Sequence, residues 1–228
     1  MLSFFNAVNC YCDASLTKLK DGTVVTASGF ILTYEGNVID QRVKIVADST
    51  NNYGEILAIY MGIDSLIRVA GYDAFLNVFS DSKISVSGLT SWIYSWIRDT
   101  DPRTRKMYNS SGQLVANQEI FSAIVGLICS ARTHLSIFHQ RGHMNPDNVR
   151  DMRKMMEDFE KDNGSVVGED IIREITYWND CIDNLTRDTL LQVTSDPGFD
   201  KNQYKKPMIV VSNLLNIGMI QDYRKLIG

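Results

Sequence analysis

The chain opens on an alternating stretch. Ala7 to Thr17 reads Ala-Val-Asn-Cys-Tyr-Cys-Asp-Ala-Ser-Leu-Thr, and a period of two puts Asn9, Tyr11 and Asp13 on one face and Cys10, Cys12 and Ala14 on the other. Asp21-Gly22 is a hairpin signal, and Thr23 to Tyr34 is a second β-rich run. Glu35-Gly36-Asn37 turns the chain again before a third strand, Val38 to Ala47, so the pattern predicts an antiparallel three-strand meander. The period then lengthens to that of a helix. Asp48 to Asn52 is a cluster of capping residues, and the helix expected over Tyr53 to Ala70 carries a stripe of Ile56, Ile59, Ile63, Leu66 and Ile67, with Gly71 at its C′ position. Ala74 to Ser80 reads as a short buried strand and Lys83 to Ile97 as a helix. A polar loop from Arg98 to Gly112, a helix over Gln118 to Thr133, a fifth strand over His134 to Gln140 and a loop over Arg141 to Pro146 follow.

Two amphipathic helices come next. Val149, Met152, Met155, Met156 and Phe159 mark the packing face of the first; Ile171, Ile175, Trp178, Ile182 and Leu185 mark a longer second. Thr194 to Tyr204 is loop-like, and Met208 to Ile220 is apolar and fits either a strand or a helix. The 228 residues suit one large domain or a core with an extension. No apolar run approaches the ~18–20 residues of a membrane span, and Met-Leu-Ser-Phe-Phe-Asn lacks the basic region of a signal peptide. Cys10 and Cys12 lie two apart on one strand face, with Cys129 and Cys181 far away, so a zinc site lacks its second close pair. A reducing compartment, and so a cytoplasmic location, is the simplest expectation.

The net charge of −4 is unevenly placed. Residues 147–178 hold nine acids and five bases, leaving 18 of each in the rest of the chain. The acidic balance therefore does not argue against a nucleic-acid partner for that remainder. The acidic stretch itself should repel phosphate and is expected to face away from such a partner.

Four carboxylates are candidates for chemistry. Asp is disfavoured inside a strand, so Asp13 needs a partner, a cation or a turn hydrogen bond. Glu55 falls near the start of a helix, where the dipole alone would favour an acid. Asp81 ends the fourth strand at a β–α junction, a place where open sheets put ligands, and it could equally cap the next helix. Asp183 shares a helix face with Asn179 at i,i+4. The loop from Arg98 to Gly112 has a local charge of +2 that suits phosphate contact, although such loops are commonly just solvated.

Several motifs then agree with one family. Thr50-Asn51-Asn52-Tyr53-Gly54-Glu55-Ile56-Leu57-Ala58, Ser80-Asp81-Ser82, Gly88-Leu89-Thr90-Ser91-Trp92-Ile93, Gln113 to Ile120, Arg141-Gly142-His143 and Asn179 to Thr186 resemble, in order, segments of type 1 ribonuclease H. The likeness extends over about residues 7–192. The chain departs from the family in Asp13-Ala14-Ser15 where Asp-Gly-Ser is usual, in a second strand that keeps only Gly29, and in about 30 residues between the His143 loop and the Asn179 helix. It thus resembles divergent members, viral and phage ones included, for which the location would be the host cytoplasm.

The resemblance implies an α/β ribonuclease H-like fold with a five-stranded mixed sheet of order 3-2-1-4-5. Residues 1–192 would form the domain, with a helical insertion at about 147–178, and 193–228 a C-terminal extension. It implies hydrolysis of the RNA strand of an RNA–DNA hybrid to 5′-phosphomonoesters, with two Mg²⁺ ions, or Mn²⁺ in their place, held by Asp13, Glu55, Asp81 and Asp183. His143 would assist protons or product departure, and Asn51, Asn52 and Asn179 would contact substrate. His134 and His139 are expected to be structural. A dimer or a protein partner could use the 147–178 insertion. The alternatives are a DNA-directed nuclease of the same superfamily, such as a junction resolvase, and a nucleic-acid-binding module without catalysis.

Overall fold

A computed structural model describes residues 4, 6–70, 75–101, 103–209 and 217–227. Its strands are β1 (Ala7–Lys18), β2 (Val24–Tyr34), β3 (Asn37–Ala47), β4 (Phe75–Ser80) and β5 (Ser136–His139). Its helices are α1 (Asn51–Ala70), α2 (Lys83–Ser87), α3 (Ile93–Arg98), α4 (Gln118–Ala131), α5 (Val149–Asn163), α6 (Glu169–Thr194) and α7 (Ile217–Leu226). The sheet order is β3-β2-β1-β4-β5, as expected. β1, β2 and β3 pair antiparallel, while β4 and β5 add parallel to β1. Parallel addition needs crossovers, and α1 and α4 supply them. Among the described residues no helix is long and apolar enough to cross a membrane.

The alternation of β1 decides which core each residue joins. Cys10 and Cys12 point into the larger core, with α1, α4 and α7. Tyr11 points into the second core, with α5 and α6. The sheet is thus covered on both faces. On the second face Tyr11, Phe79 and Phe138 are register partners on three adjacent strands. Their rings stack with centroids 5.2 and 5.3 Å apart, and the row continues to Phe159 of α5 at 5.6 Å and to Trp178 of α6 at 6.1 Å. This seam docks both helices against the sheet two residues before Asp13 and Asp81.

The turns follow their residues. Glu35 and Gly36 both have positive φ, +49° and +74°, between the paired Tyr34 and Asn37, which is the conformation a two-residue hairpin requires. Two boundaries differ from expectation. Thr50 Oγ1 accepts from Tyr53 N at 3.2 Å, so Thr50 caps α1 and the helix starts at Asn51. Glu55 therefore lies past the first turn, which contains no acid. The helix expected over 83–97 is divided by a π-helical turn, Gly88–Trp92, where the Phe121 ring packs so closely that a Cβ on Gly88 would come within 2.5 Å of it. The expected C′ glycine, Gly71, and most of the run from Met208 lie outside the described residues; α7 begins at Ile217.

Helices on both faces approach the sheet through small residues. A Cβ on Gly62 of α1 would lie 2.5 Å from Cys10 Sγ, and one on Gly54 would lie 3.0 Å from the Ala14 methyl. Ala58, fully buried, lies between them one turn from each. On the other face a Cβ on Gly29 would meet Thr186 Cγ2 of α6 at 2.6 Å and Ile182 Cδ1 at 3.0 Å. Gly29 is the cross-strand partner of Asp13, so the one glycine kept in β2 admits α6 beside that residue.

Gly29→Ala should therefore destabilise the protein by about 1–3 kcal/mol through overpacking. Thr186→Ser removes the obstructing methyl and keeps a hydroxyl toward Ser15, which now bonds Thr186 at 2.9 Å. In a urea-denaturation double-mutant cycle the second change should return roughly 1 kcal/mol of the loss. Additive effects would show that the contact does not set the helix position.

Candidate active site

Register brings the first two carboxylates together. The parallel β1–β4 ladder ends at Cys12 and Ser80, so Asp13 and Asp81 are the next residues on neighbouring strands. Asp81 is not a helix cap. Ser82 takes that role, its side chain accepting from Ser85 N at 3.4 Å, so the Asp81 carboxylate is not used in the cap. The third acid arrives with α1, whose small stripe holds it close to β1 and delivers Glu55 from above. Oxygens of Asp13, Glu55 and Asp81 lie within 4.8 Å of one another. Asp13 is 6% exposed and Glu55 5%. Asn51 Nδ2 donates to Glu55 Oε1 at 3.4 Å, while Glu55 Oε2 is buried and has no partner.

Such a cluster resists ionisation. Burial, then the nearby Asp81 and Asp183, push Asp13 up to about 7, although the Ala14 backbone N–H, bonded at 2.7 Å, and the His143 ring oppose the shift. Burial and the charges of Asp13 and Asp81 push Glu55 up as well. Asp81 is raised by burial despite His143 and His139. An all-oxygen set of three crowded carboxylates with an unpartnered buried oxygen fits a hard divalent cation such as Mg²⁺ or Mn²⁺.

Asp183 stands beside this trio and outside it. It is half-buried on α6, accepts from Arg187 Nη1 at 2.9 Å, and is near enough for its charge to raise Asp13 and Asp81. His143 is exposed on its loop with φ +57°. The loop backbone presses on the site, because a Cβ on Gly142 would lie 2.7 Å from Asp81 Oδ2. Asn51 and Asn52 are exposed at the start of α1. Asn179 is only 2% exposed and accepts from Gln140 Nε2, so its amide faces Gln140 and not solvent.

The pattern of residues did not single out the groups behind Asp81. His139 of β5 contacts the Asp81 carbonyl through Nε2 at 3.2 Å and Asp162 Oδ2 through Nδ1 at 2.7 Å. Lys83 Nζ donates to the other Asp162 oxygen at 2.6 Å. Arg141 Nε lies 2.7 Å from Asp158 Oδ2 as an ion pair without hydrogen-bond alignment. The acidic stretch is expected to face away from a nucleic-acid partner. Glu157 and Glu160 are exposed, but Asp158 and Asp162 turn inward to these partners. One signal was available: Asp162 falls three residues after Phe159 and seven after Met155, on the helix's apolar face.

Comparison with known proteins identifies the family of the chain. An RNase H family model matches residues 6–151, which include Asp13, Glu55, Asp81 and His143 and stop short of Asp183. A ribonuclease H of Neorickettsia sennetsu is 33% identical over 116 residues, 50% of this chain and 70% of the relative. One of Tropheryma whipplei is 33% identical over 88 residues, 39% of this chain, and the chain spans about half, 49%, of its length. Among solved structures, the foamy viral protease–reverse transcriptase in complex with RNA/DNA hybrid shares the fold, with a TM-score of 0.54 and 14% identity over 66% of this chain and 19% of that one.

The raised Asp13 makes a stability prediction. Its folded-state value of about 7 lies above the ~3.9 of an unfolded Asp, so its contribution is fully present below about pH 4 and is lost as pH rises through 7. The size is on the order of 4 kcal/mol at most. With a chelator present, the urea midpoint should fall from pH 5 to pH 8, and Asp13→Asn should flatten that fall. Mg²⁺ should restore more stability at pH 8 than at pH 5, because protons and cation compete for the same oxygens. A midpoint that rises from pH 5 to pH 8 in the chelated protein would contradict the electrostatics of the cluster.

Proposed function

The chain belongs to the ribonuclease H family, and we propose that it is a metal-dependent endonuclease hydrolysing the RNA strand of RNA–DNA hybrids to 5′-phosphomonoesters. The observation that carries this reading is the meeting of Asp13, Glu55 and Asp81 within 4.8 Å, with one Glu55 oxygen buried and unpartnered. A cluster of mutually repelling carboxylates costs stability, and cation binding gives it a use. When bound, two Mg²⁺ ions, or Mn²⁺ in their place, would polarise the scissile phosphate, lower the pKa of the attacking water and offset charge on the leaving 3′ oxygen.

The chain's own residues have distinct parts in this reading. Asp13, near enough to feel the charges of both Asp81 and Asp183, would serve both ions; Glu55 and Asp81 would hold the first and Asp183 the second. Arg187 pairs with Asp183 one turn along α6 at 2.9 Å. His143 is exposed on a loop whose backbone abuts Asp81, which suits moving a proton or easing product departure. Asn51 and Asn52 offer amides that both donate and accept, as a 2′-hydroxyl does. Because Asn51 also bonds Glu55, recognition of the ribose and the chemistry would concern neighbouring nucleotides.

Labelled RNA–DNA hybrid, duplex DNA and branched DNA should be compared on one gel with Mg²⁺. Hybrid should be cut in its RNA strand, and Asp13→Asn should lower the rate at least about 10²-fold while the fold is kept. Asn51→Ala should weaken the preference for ribose over deoxyribose at the contacted nucleotides, since a site built to bond a hydroxyl discriminates through it. Duplex DNA cut as fast as hybrid would replace this reading with a DNA-directed nuclease. Hybrid bound and left intact would indicate a non-catalytic module.

A further inference from the structure

We propose that Asp162 of α5 is a positioning residue for the Asp81 carboxylate, acting through His139 and Lys83. The inserted helix would then be part of the catalytic apparatus and not an appendage. The inference rests on the assignment of Asp81 to the metal site, and so on the function proposed above.

One carboxylate grips the β4–α2 junction on two sides. Asp162 Oδ2 takes a bond from His139 Nδ1 at 2.7 Å, and the opposite nitrogen of that ring reaches the Asp81 carbonyl at 3.2 Å. Asp162 Oδ1 takes a bond from Lys83, two residues after Asp81, at 2.6 Å. Burial pushes the Asp162 carboxyl up, but the bonds from Lys83 and His139 outweigh it and hold the group below its usual range. Asp162 is therefore ionised at neutral pH. The His139 ring is bracketed by two acceptors, the Asp162 carboxylate at Nδ1 and the Asp81 carbonyl at Nε2. The ring has its orientation fixed at both ends, as does the peptide that carries Asp81.

The carboxylate is not needed to dock α5. Asn163 already fixes the helix end to β5, accepting from His139 N at 2.8 Å and donating to His139 O at 2.8 Å. Phe159 continues the aromatic seam, and Met152 and Met155 are buried in the same core. A buried apolar face would be better served by an apolar residue at position 162, because placing a charge there costs desolvation. What Asp162 adds is a fixed backbone at Asp81. Groups that orient a metal-binding side chain in this way change metal affinity or activity when removed, typically 10–100-fold.

The test compares Asp162→Asn with Phe159→Leu, which loosens the packing of α5 and leaves the carboxylate in place. Mn²⁺ binding is followed by the loss of the free-ion electron paramagnetic resonance signal, and hybrid cleavage by kcat and KM. Asp162→Asn should weaken Mn²⁺ binding and lower kcat, each about 10-fold or more, with KM for hybrid unchanged within about twofold. Phe159→Leu should lower the melting temperature at least as much and change both quantities by less than about threefold. Wild-type Mn²⁺ affinity in Asp162→Asn, or equal effects of the two substitutions at matched stability, would overturn the proposal. If the unmodified protein binds Mn²⁺ but cuts no hybrid, the proposed function fails, and the Mn²⁺ comparison still decides the role of Asp162.

Discussion

The arrangement of the site depends on how closely two helices can approach one strand. α1 meets β1 through Gly54, Ala58 and Gly62, and α6 meets β2 through Gly29 beside β1. Side chains of ordinary size at these points would push the helices outward by ångströms, since interiors are packed too densely to absorb them. Glu55 would then leave Asp13, and Asp183 would recede from the other side. The unusual Ala14 fits the same scheme. Its methyl lies against the bare backbone at Gly54, so the volume added on the strand is matched by volume missing from the helix.

This closeness has an electrostatic consequence. Carboxylates brought together at a water-poor strand end favour the proton-bound state, so burial and the neighbouring acids push Asp13 up to about 7. The fold tolerates the strain because the surroundings are apolar and interlocked. The larger core packs under one face, and a row of five rings, Trp178-Tyr11-Phe79-Phe138-Phe159, runs under the other. Rigidity of this kind holds charged groups in place that would otherwise separate.

The sheet and most helices were legible in the sequence because their evidence is local. Alternation in Ala7 to Thr17 assigned Tyr11 and Cys10 to opposite cores, and Glu35-Gly36 specified its own turn. The four acids were legible through motif likeness, and three of them meet in the structure. What was not legible depends on distant partners. Thr50 competes with its neighbours to cap α1, and Ser82 displaces Asp81 from a capping role; both follow from hydrogen bonds that composition does not rank. Asn179 looked available from its spacing with Asp183, yet Gln140, 39 residues earlier, holds its amide inside. The inward turn of Asp158 and Asp162 depends on Arg141, Lys83 and His139, none of them on the same helix. Periodicity gives the face a residue lies on and says nothing of what waits opposite that face.

The late position of α6 bears on how the chain is made. β1, β2, β3 and α1 are contiguous, so the hairpins and one covering helix can form soon after they leave the ribosome. The second face of that sheet, with Tyr11 and Ile31, is covered by α6, more than a hundred residues downstream. Until that helix is synthesised the young sheet has one greasy side open to solvent, and a nascent chain in this state is a candidate for chaperone capture or self-association. The same delay withholds Asp183 from the acid cluster. A growing chain that already displays its first three carboxylates still lacks the fourth, and translation itself sets the moment at which the constellation closes.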